Sequence, residues 1–111
     1  MTVKVVNIIP SKYAEASQTT QYIAENCKTI IDKFTLTNTT ASAVTFSCNL
    51  VLKATTASAA NLVIKDKSVS AGETYVCPEL VGHSLEDGSF ISTIASTADS
   101  LVIRASGREI T

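Results

Sequence analysis

The strongest constraint on the fold is an alternation of apolar and polar residues over residues 44–52. In the run VTFSCNLVL every second side chain is apolar, beginning at Val44 and Phe46 and continuing through Cys48, Leu50 and Leu52. Successive side chains of a β-strand point to opposite faces of the sheet, so a period of two predicts a strand with one buried face.

Residues 28–38, KTIIDKFTLTN, predict a second strand directly before it. A strict alternation places Ile30, Asp32 and Phe34 on one face and Ile31 on the other. The connection between the two runs, NTTAS, is short and made of small, mostly polar residues that favour turns. The two runs are therefore predicted to form an antiparallel hairpin.

Turn-forming residues recur along the rest of the chain at intervals of about eight to twelve residues, which is typical of sandwiches and jelly rolls. Residues 89–96 and 100–105 predict a last hairpin, and residues 78–82 suggest one helical turn. With 15 Thr and 13 Ser among 111 residues and no βαβ alternation, we expect an all-β fold. The prediction is an antiparallel β-sandwich or jelly-roll-like domain of about seven to nine short strands with little helix.

A chain of 111 residues is expected to form a single domain, residues 1–111. Residues 1–12 leave two alternatives open, because Val3, Val5, Ile8 and Ile9 favour an extended strand that ends near Pro10. The segment is either the first strand of the sandwich or an extended N-terminal arm that adds to the sheet edge of a neighbour.

Charge and cysteine content argue against several classes of partner. The chain has 9 basic and 10 acidic residues and a net charge of −1, and its Lys and Arg residues are not clustered as nucleic-acid binding requires. It begins without a secretory signal pattern and has no apolar run of membrane-spanning length. Cys27, Cys48 and Cys77 are widely spaced, without a CxxC pair, so we expect no metal site and no cofactor in a protein made in the cytoplasm.

Catalysis has little support in the sequence. His83 is the only histidine, and a nucleophilic pair with Cys77 is conceivable. Cysteine is more often a buried core residue, however, and the chain has neither a GxSxG nor a glycine-rich phosphate motif. We therefore expect a protein that is not an enzyme.

Three blocks carry a resemblance to a known family: IIDKFTLTNTTASAVTF (30–46), AGETYVCPELVGHSLEDGSFIS (71–92) and LVIRASGREIT (101–111). They resemble the capsid decoration, or staple and cement, proteins of epsilon15-like short-tailed bacteriophages. The resemblance implies a non-enzymatic β-sandwich on the outer surface of the virion. Such a protein clamps neighbouring subunits of the major capsid protein as a symmetric dimer, and so stabilises the head against the pressure of its DNA.

Under this interpretation the two ends of the chain make the contacts between subunits. The expected contact residues are Val3, Val5, Ile8, Ile9, Arg108 and Ile110. The alternative is a small neck or tail protein, or a module that recognises a host glycan. A glycan site would need exposed aromatic side chains, for which the candidates are Tyr13, Tyr22 and Tyr75.

Overall fold

The computed structural model describes residues 1–111 and contains nine strands in two antiparallel sheets. It confirms the predicted all-β sandwich. The only helical element is one 3-10 turn, Ala59–Asn61, so no helix is long and apolar enough to cross a membrane. The strands are β1 (Val3–Tyr13), β2 (Thr19–Ile23), β3 (Lys28–Asn38), β4 (Val44–Val51), β5 (Leu62–Val69), β6 (Thr74–Tyr75), β7 (Ser84–Leu85), β8 (Phe90–Ala95) and β9 (Leu101–Ile110).

The first sheet has the strand order β1-β9-β3-β6, with the short strand β7 also paired to β3. The second sheet has the order β2-β8-β4-β5. All pairings are antiparallel. Strand β1 therefore forms one edge of the first sheet, while β9 and β3 lie in its centre.

Both predicted hairpins are wrong, because the strands of each pair lie in different sheets. Strand β3 belongs to the first sheet and β4 to the second, and β9 and β8 are divided in the same way. A connection that crosses from one sheet to the other turns the apolar faces of both strands toward one core. Phe34 of β3 and Phe46 of β4 meet there with their ring centroids 6.1 Å apart.

A buried asparagine holds the corner between β3 and β4. The side-chain amide of Asn38 donates to the carbonyl oxygens of Ser42 and Val69 at 2.8 and 2.9 Å, and its oxygen accepts from the backbone N–H of Thr40 at 2.9 Å. The run NTTAS is therefore a crossing between sheets rather than a hairpin turn.

Strand β3 departs from strict alternation. Its pairing with β9 shifts register between Ile31 and Lys33, so β3 contains one extra residue at Asp32. Ile31 and Phe34 both point into the core as a result, and Asp32 is exposed. The predicted faces of Ile30, Ile31 and Asp32 are thus reversed: Ile31 faces the core and the other two lie on the outward side, because the bulge changes the side to which each residue points.

The alternation in β4 is confirmed at Val44, Phe46 and Cys48, which are all buried. Leu50 is half-buried against the core, whereas Leu52 lies beyond the end of the strand and is 63% exposed.

The suggested helical turn at residues 78–82 is a pair of tight turns. The N–H of Leu80 donates to the carbonyl of Cys77, and the N–H of His83 donates to the carbonyl of Leu80. Gly82 adopts φ +88°, a left-handed conformation that ends any helical path. The fully buried Leu80 side chain anchors the segment to the core.

Strand β1 continues beyond Pro10, to Tyr13. Its pairing with β9 shifts register on both sides of Ile9, so the proline lies in an irregular stretch of an edge strand, where a missing N–H is tolerated.

Strand β5 runs without interruption through the polar residues 65–68. Asp66 adopts φ +49° within an irregular stretch of the β4–β5 pairing. The hydroxyl of Ser47 on β4 accepts a hydrogen bond from the Asp66 N–H at 2.9 Å. The Asp66 N–H therefore has a hydrogen-bond partner on the neighbouring strand although the pairing is irregular there.

Candidate interaction surface

The two ends of the chain lie side by side at one end of the first sheet. Val3 is paired with Ile110 and Val5 with Arg108, and the N–H groups of Thr2 and Thr111 donate to each other's carbonyls at 3.0 and 2.9 Å. In this structure residues 3–13 are the first strand of the chain's own sandwich. This is the first of the two alternatives for the N-terminal segment, the other being an extended arm. Whether this strand also contacts a neighbour stays a prediction.

Apolar side chains are grouped on the outward face of this sheet end, beside the charged Arg108 and beside Lys28, which is paired with Ile110. Directly paired residues of antiparallel strands share a face, so Val3 and Val5 lie on the same side as Ile110 and Arg108. Val6 on β1 faces the opposite way and packs against the core. Val5 is 79% exposed and Val3 is 49% exposed.

Ile30 of β3 completes this group, because it is paired with Arg108 and is half-buried. We call Val3, Val5, Ile30, Arg108 and Ile110 the outer patch. Four of the six expected contact residues thus lie together on one exposed face.

The other two expected contact residues are not on the surface. Ile8 and Ile9 are 6% and 1% exposed and belong to the core cluster. The register shifts of β1 allow both neighbours to be buried, whereas a regular strand would turn one of them outward. The prediction that Ile8 and Ile9 contact another subunit is therefore wrong, because both side chains are buried in the core of their own chain.

An ion pair lies at the margin of the outer patch. Nη2 of Arg108 lies 2.9 Å from Oδ1 of Asp32, and Nε lies 3.1 Å from each carboxylate oxygen. The hydrogen bonds to Asp32 raise the pKa of Arg108 above its ordinary value, so the guanidinium remains charged. The pair holds the planar Arg108 head in a fixed orientation across β9 and β3. Strict alternation puts Asp32 on the apolar face, so this ion pair could not be predicted from the sequence.

A shallow hollow lies farther along the same outward face. It has a volume of about 260 Å³ and is lined by Lys33, Thr35, Arg104, Ala105 and Ser106. Lys33 is paired with Ser106, and Thr35 with Arg104. We call it the basic hollow. The sequence did not reveal it, because its two cations are 71 positions apart and meet only through the β3–β9 pairing.

A hydrogen-bonded cluster joins the two sheets behind the outer patch. The hydroxyl of Tyr22 on β2 lies 2.7 Å from the hydroxyl of Thr29 on β3 and donates to the carboxylate of Glu109 on β9. Burial and the neighbouring Glu109 raise the pKa of Tyr22, so the phenol remains protonated. The cluster fixes the end of β9 to the opposite sheet.

The tyrosines do not form a shared aromatic cleft. Tyr13 lies on β1 and Tyr75 on β6, at opposite edges of the first sheet and about 14 Å apart by strand spacing. Tyr22 is engaged between the sheets. The Tyr75 hydroxyl donates to the carboxylate of Glu79 at 2.6 and 2.7 Å, and its ring lies 4.6 Å from the Lys67 ammonium. The glycan alternative therefore has no grouped aromatic surface to support it.

All three thiols are free and buried: Cys27, Cys48 and Cys77. Burial raises the pKa of Cys77 to about 12, so its thiol is protonated at neutral pH, and His83 is exposed to solvent. A protonated, buried thiol is a poor nucleophile. No group of three or more His, Cys, Asp or Glu side chains is arranged to hold a metal ion.

No family model matches the chain, and no curated protein matches it. A solved structure of infectious bursal disease virus, Gx strain, contains a chain that can be superposed on this one with a TM-score of 0.49 and 17% sequence identity. The superposition covers 98% of this chain and 33% of that one, so this chain spans about one third of its length. A likeness of this size carries no argument about what this chain binds.

Proposed function

We propose that this chain is a structural protein of a phage particle. It binds the outer surface of an icosahedral head, joins neighbouring subunits of the major capsid protein and acts by binding alone, without a catalytic step. Two lines of support converge: the resemblance of three sequence blocks to phage decoration proteins, and the outer patch. The observation that carries the proposal is the second, because Val3, Val5, Arg108 and Ile110 come from both chain ends and share one exposed face.

The chemistry of the outer patch suits a protein contact. Burying a fully exposed Val or Ile side chain contributes about 1.5–3 kcal/mol. Val5 comes nearest to that case, whereas Val3, Ile30 and Ile110 are already partly buried and contribute less each. Arginine is enriched at binding hot spots, and Arg108 lies on β9 between Val5 of β1 and Ile30 of β3. The patch also lies on paired strands tied to the opposite sheet by Tyr22, so little ordering is needed on binding.

A small contact surface can give strong binding when two copies of it bind at the same time. A decoration protein with two contact surfaces, or a symmetric pair of copies, binds two capsid subunits at once, and the second contact then forms at a high effective concentration. The unpaired edge of β1 supports the symmetric pair, since an edge strand offers free N–H and C=O groups to a second copy. Any ligand that binds only the joined state of the shell shifts the equilibrium toward that state.

The test is a co-sedimentation assay with phage heads prepared without this protein. The wild-type chain should pellet with the heads, and the bound heads should resist heat better than bare ones. Val5→Asp should weaken binding at least about tenfold, because it puts a charge at the most exposed apolar position of the patch. Val76→Asp is the matched control, since Val76 is also exposed, at 54%, and lies outside the patch.

Two results would count against the proposal in different ways. If the wild-type chain does not bind heads, the function is wrong. If Val5→Asp binds as well as the wild type, the outer patch is not the contact. The number of copies in purified virions separates the head from the alternative location, because a shell protein is present in hundreds of copies and a neck or tail protein in about a dozen or fewer.

A further inference from the structure

The basic hollow holds two cations that no carboxylate of the chain neutralises. Lys33 and Arg104 occupy diagonal positions on neighbouring strands, since Lys33 is paired with Ser106, two places from Arg104, and Arg104 is paired with Thr35, two places from Lys33. Side chains in diagonal positions are within reach of each other. Arg104 donates only to the hydroxyl of Ser11, at 3.5 Å, and Lys33 makes no ion pair.

Three other cations of the first sheet are different, because each is paired with its own carboxylate. Lys12 is paired with Glu15 at 2.9 Å, Lys28 with Glu86 at 3.4 Å, and Arg108 with Asp32 at 2.9 Å. The outward face of the first sheet therefore carries a local excess of positive charge, although the whole chain has a net charge of −1. Two like charges in a partly enclosed hollow repel each other, and an external anion would relieve that repulsion.

We propose that the basic hollow receives a carboxylate side chain of the protein that binds the outer patch. The inference rests on the proposed function, because it assigns the chemistry of the same partner. The hollow and the outer patch lie on one face and share β3 and β9, so a single partner surface can cover both. That surface would present apolar side chains to Val3 and Val5 and an Asp or Glu residue to Lys33 and Arg104.

The lining of the hollow fits a carboxylate. Arg104 offers a planar fork of N–H donors and Lys33 an ammonium, which together can bind both oxygens of one carboxylate. The hydroxyl of Ser106 lines the same hollow and can donate a further hydrogen bond, whereas the hydroxyl of Thr35 donates to the carbonyl oxygen of Arg104 at 3.5 Å. A volume of about 260 Å³ admits a side chain without requiring the strands to separate.

The experiment repeats the co-sedimentation assay with the double variant Lys33→Glu/Arg104→Glu over a range of salt concentrations. Its matched control is Lys53→Glu/Lys65→Glu, which changes the net charge equally at two exposed lysines that form no ion pair. We expect the hollow variant to bind heads at least about tenfold more weakly at low salt, and the control to bind as the wild type does. Wild-type binding should weaken as salt rises, and the hollow variant should lose most of that dependence.

The outcomes separate this inference from the function on which it rests. If the wild type binds heads and the hollow variant binds equally well, the carboxylate site is refuted and the head-binding function stands. If the wild type does not bind heads, both fail. If a duplex DNA fragment binds the wild type and not the hollow variant, the hollow is a phosphate site and the inference is overturned. Circular dichroism of both double variants checks that they are folded.

Discussion

Replacing Gly107 by alanine is the most direct test of how the central strands are packed. Gly107 lies on β9 opposite Ile31, beside the extra residue of β3. A Cβ atom at this position would lie 2.3 Å from the carbonyl oxygen of Ile30 and 3.3 Å from its carbonyl carbon. An ordinary contact begins near 3.4 Å, so the methyl group would require β9 and β3 to separate by about 1.1 Å.

The expected loss of folding stability depends on whether the atom that contacts the added methyl group can move. A flexible side chain could rotate aside, but the Ile30 carbonyl belongs to the backbone of a central strand. Overpacking of this kind usually costs about 1–3 kcal/mol, and we expect Gly107→Ala to lie at the upper end, near 3 kcal/mol. For a domain of this length that corresponds to a fall in Tm of about 12 °C.

The assay is urea unfolding followed by circular dichroism, with Gly72→Ala as the matched control. Gly72 adopts φ +73° and has no atom within 4 Å of an added Cβ, so its substitution costs only the left-handed strain of about 1–2 kcal/mol. Gly107 has no such strain. If Gly107→Ala is no more destabilising than Gly72→Ala, the close approach of β9 to β3 does not exist as described.

Two further predictions concern buried polar chemistry. Asn38→Ala should cost about 2–3 kcal/mol in urea unfolding, because the buried Val69 carbonyl loses its donor and the Ser42 carbonyl and the Thr40 N–H each lose a partner; a cost as small as that of Thr40→Ala would contradict this account. Burial raises the pKa of Cys48 and Cys77 above the ordinary 9.0, so the folded state holds these protons more tightly than the unfolded state. The contribution of these two thiols to the free energy of unfolding is therefore fully present below pH 9. It falls as the pH rises beyond 9, by up to about 1.4 kcal/mol per pH unit for each thiol. Unfolding measured from pH 8 to 11 in reducing buffer should show a shallower decline for Cys48→Ala than for the wild type, and equal slopes would refute the role of this thiol.

The fold class could be predicted because it depends on local patterns. The apolar residues Val44, Phe46 and Cys48 alternate along one strand, and the structure confirms that all three are buried. The pairing of strands could not be predicted from the same pattern, because NTTAS is equally compatible with a hairpin and with a crossing between sheets. What decides between them is the meeting of Phe34 and Phe46 across the core and the hydrogen bonds of Asn38, which involve residues far apart in the sequence.

The exposure of the candidate contact residues could be predicted only in part, for a similar reason. Alternation correctly leaves Val3 and Val5 on one face, since the first half of β1 pairs regularly with β9. It fails at Ile8 and Ile9, because a bulge permits two neighbouring side chains to be buried and a period of two does not.

The extra residue in β3 explains why the outer patch and the basic hollow lie side by side. Ile31 and Phe34 are three positions apart, and both can face the core only if the two residues between them are accommodated on the outward side. Those residues are Asp32 and Lys33, which carry opposite charges and have different surroundings: Asp32 pairs with Arg108 at the margin of the patch, whereas Lys33 joins Arg104 in the hollow. One bulge, required by core packing, therefore creates both a neutralised arginine and an unneutralised pair of cations on the same face. If the proposed partner exists, the spacing between its apolar surface and its carboxylate is set by this single irregularity of β3.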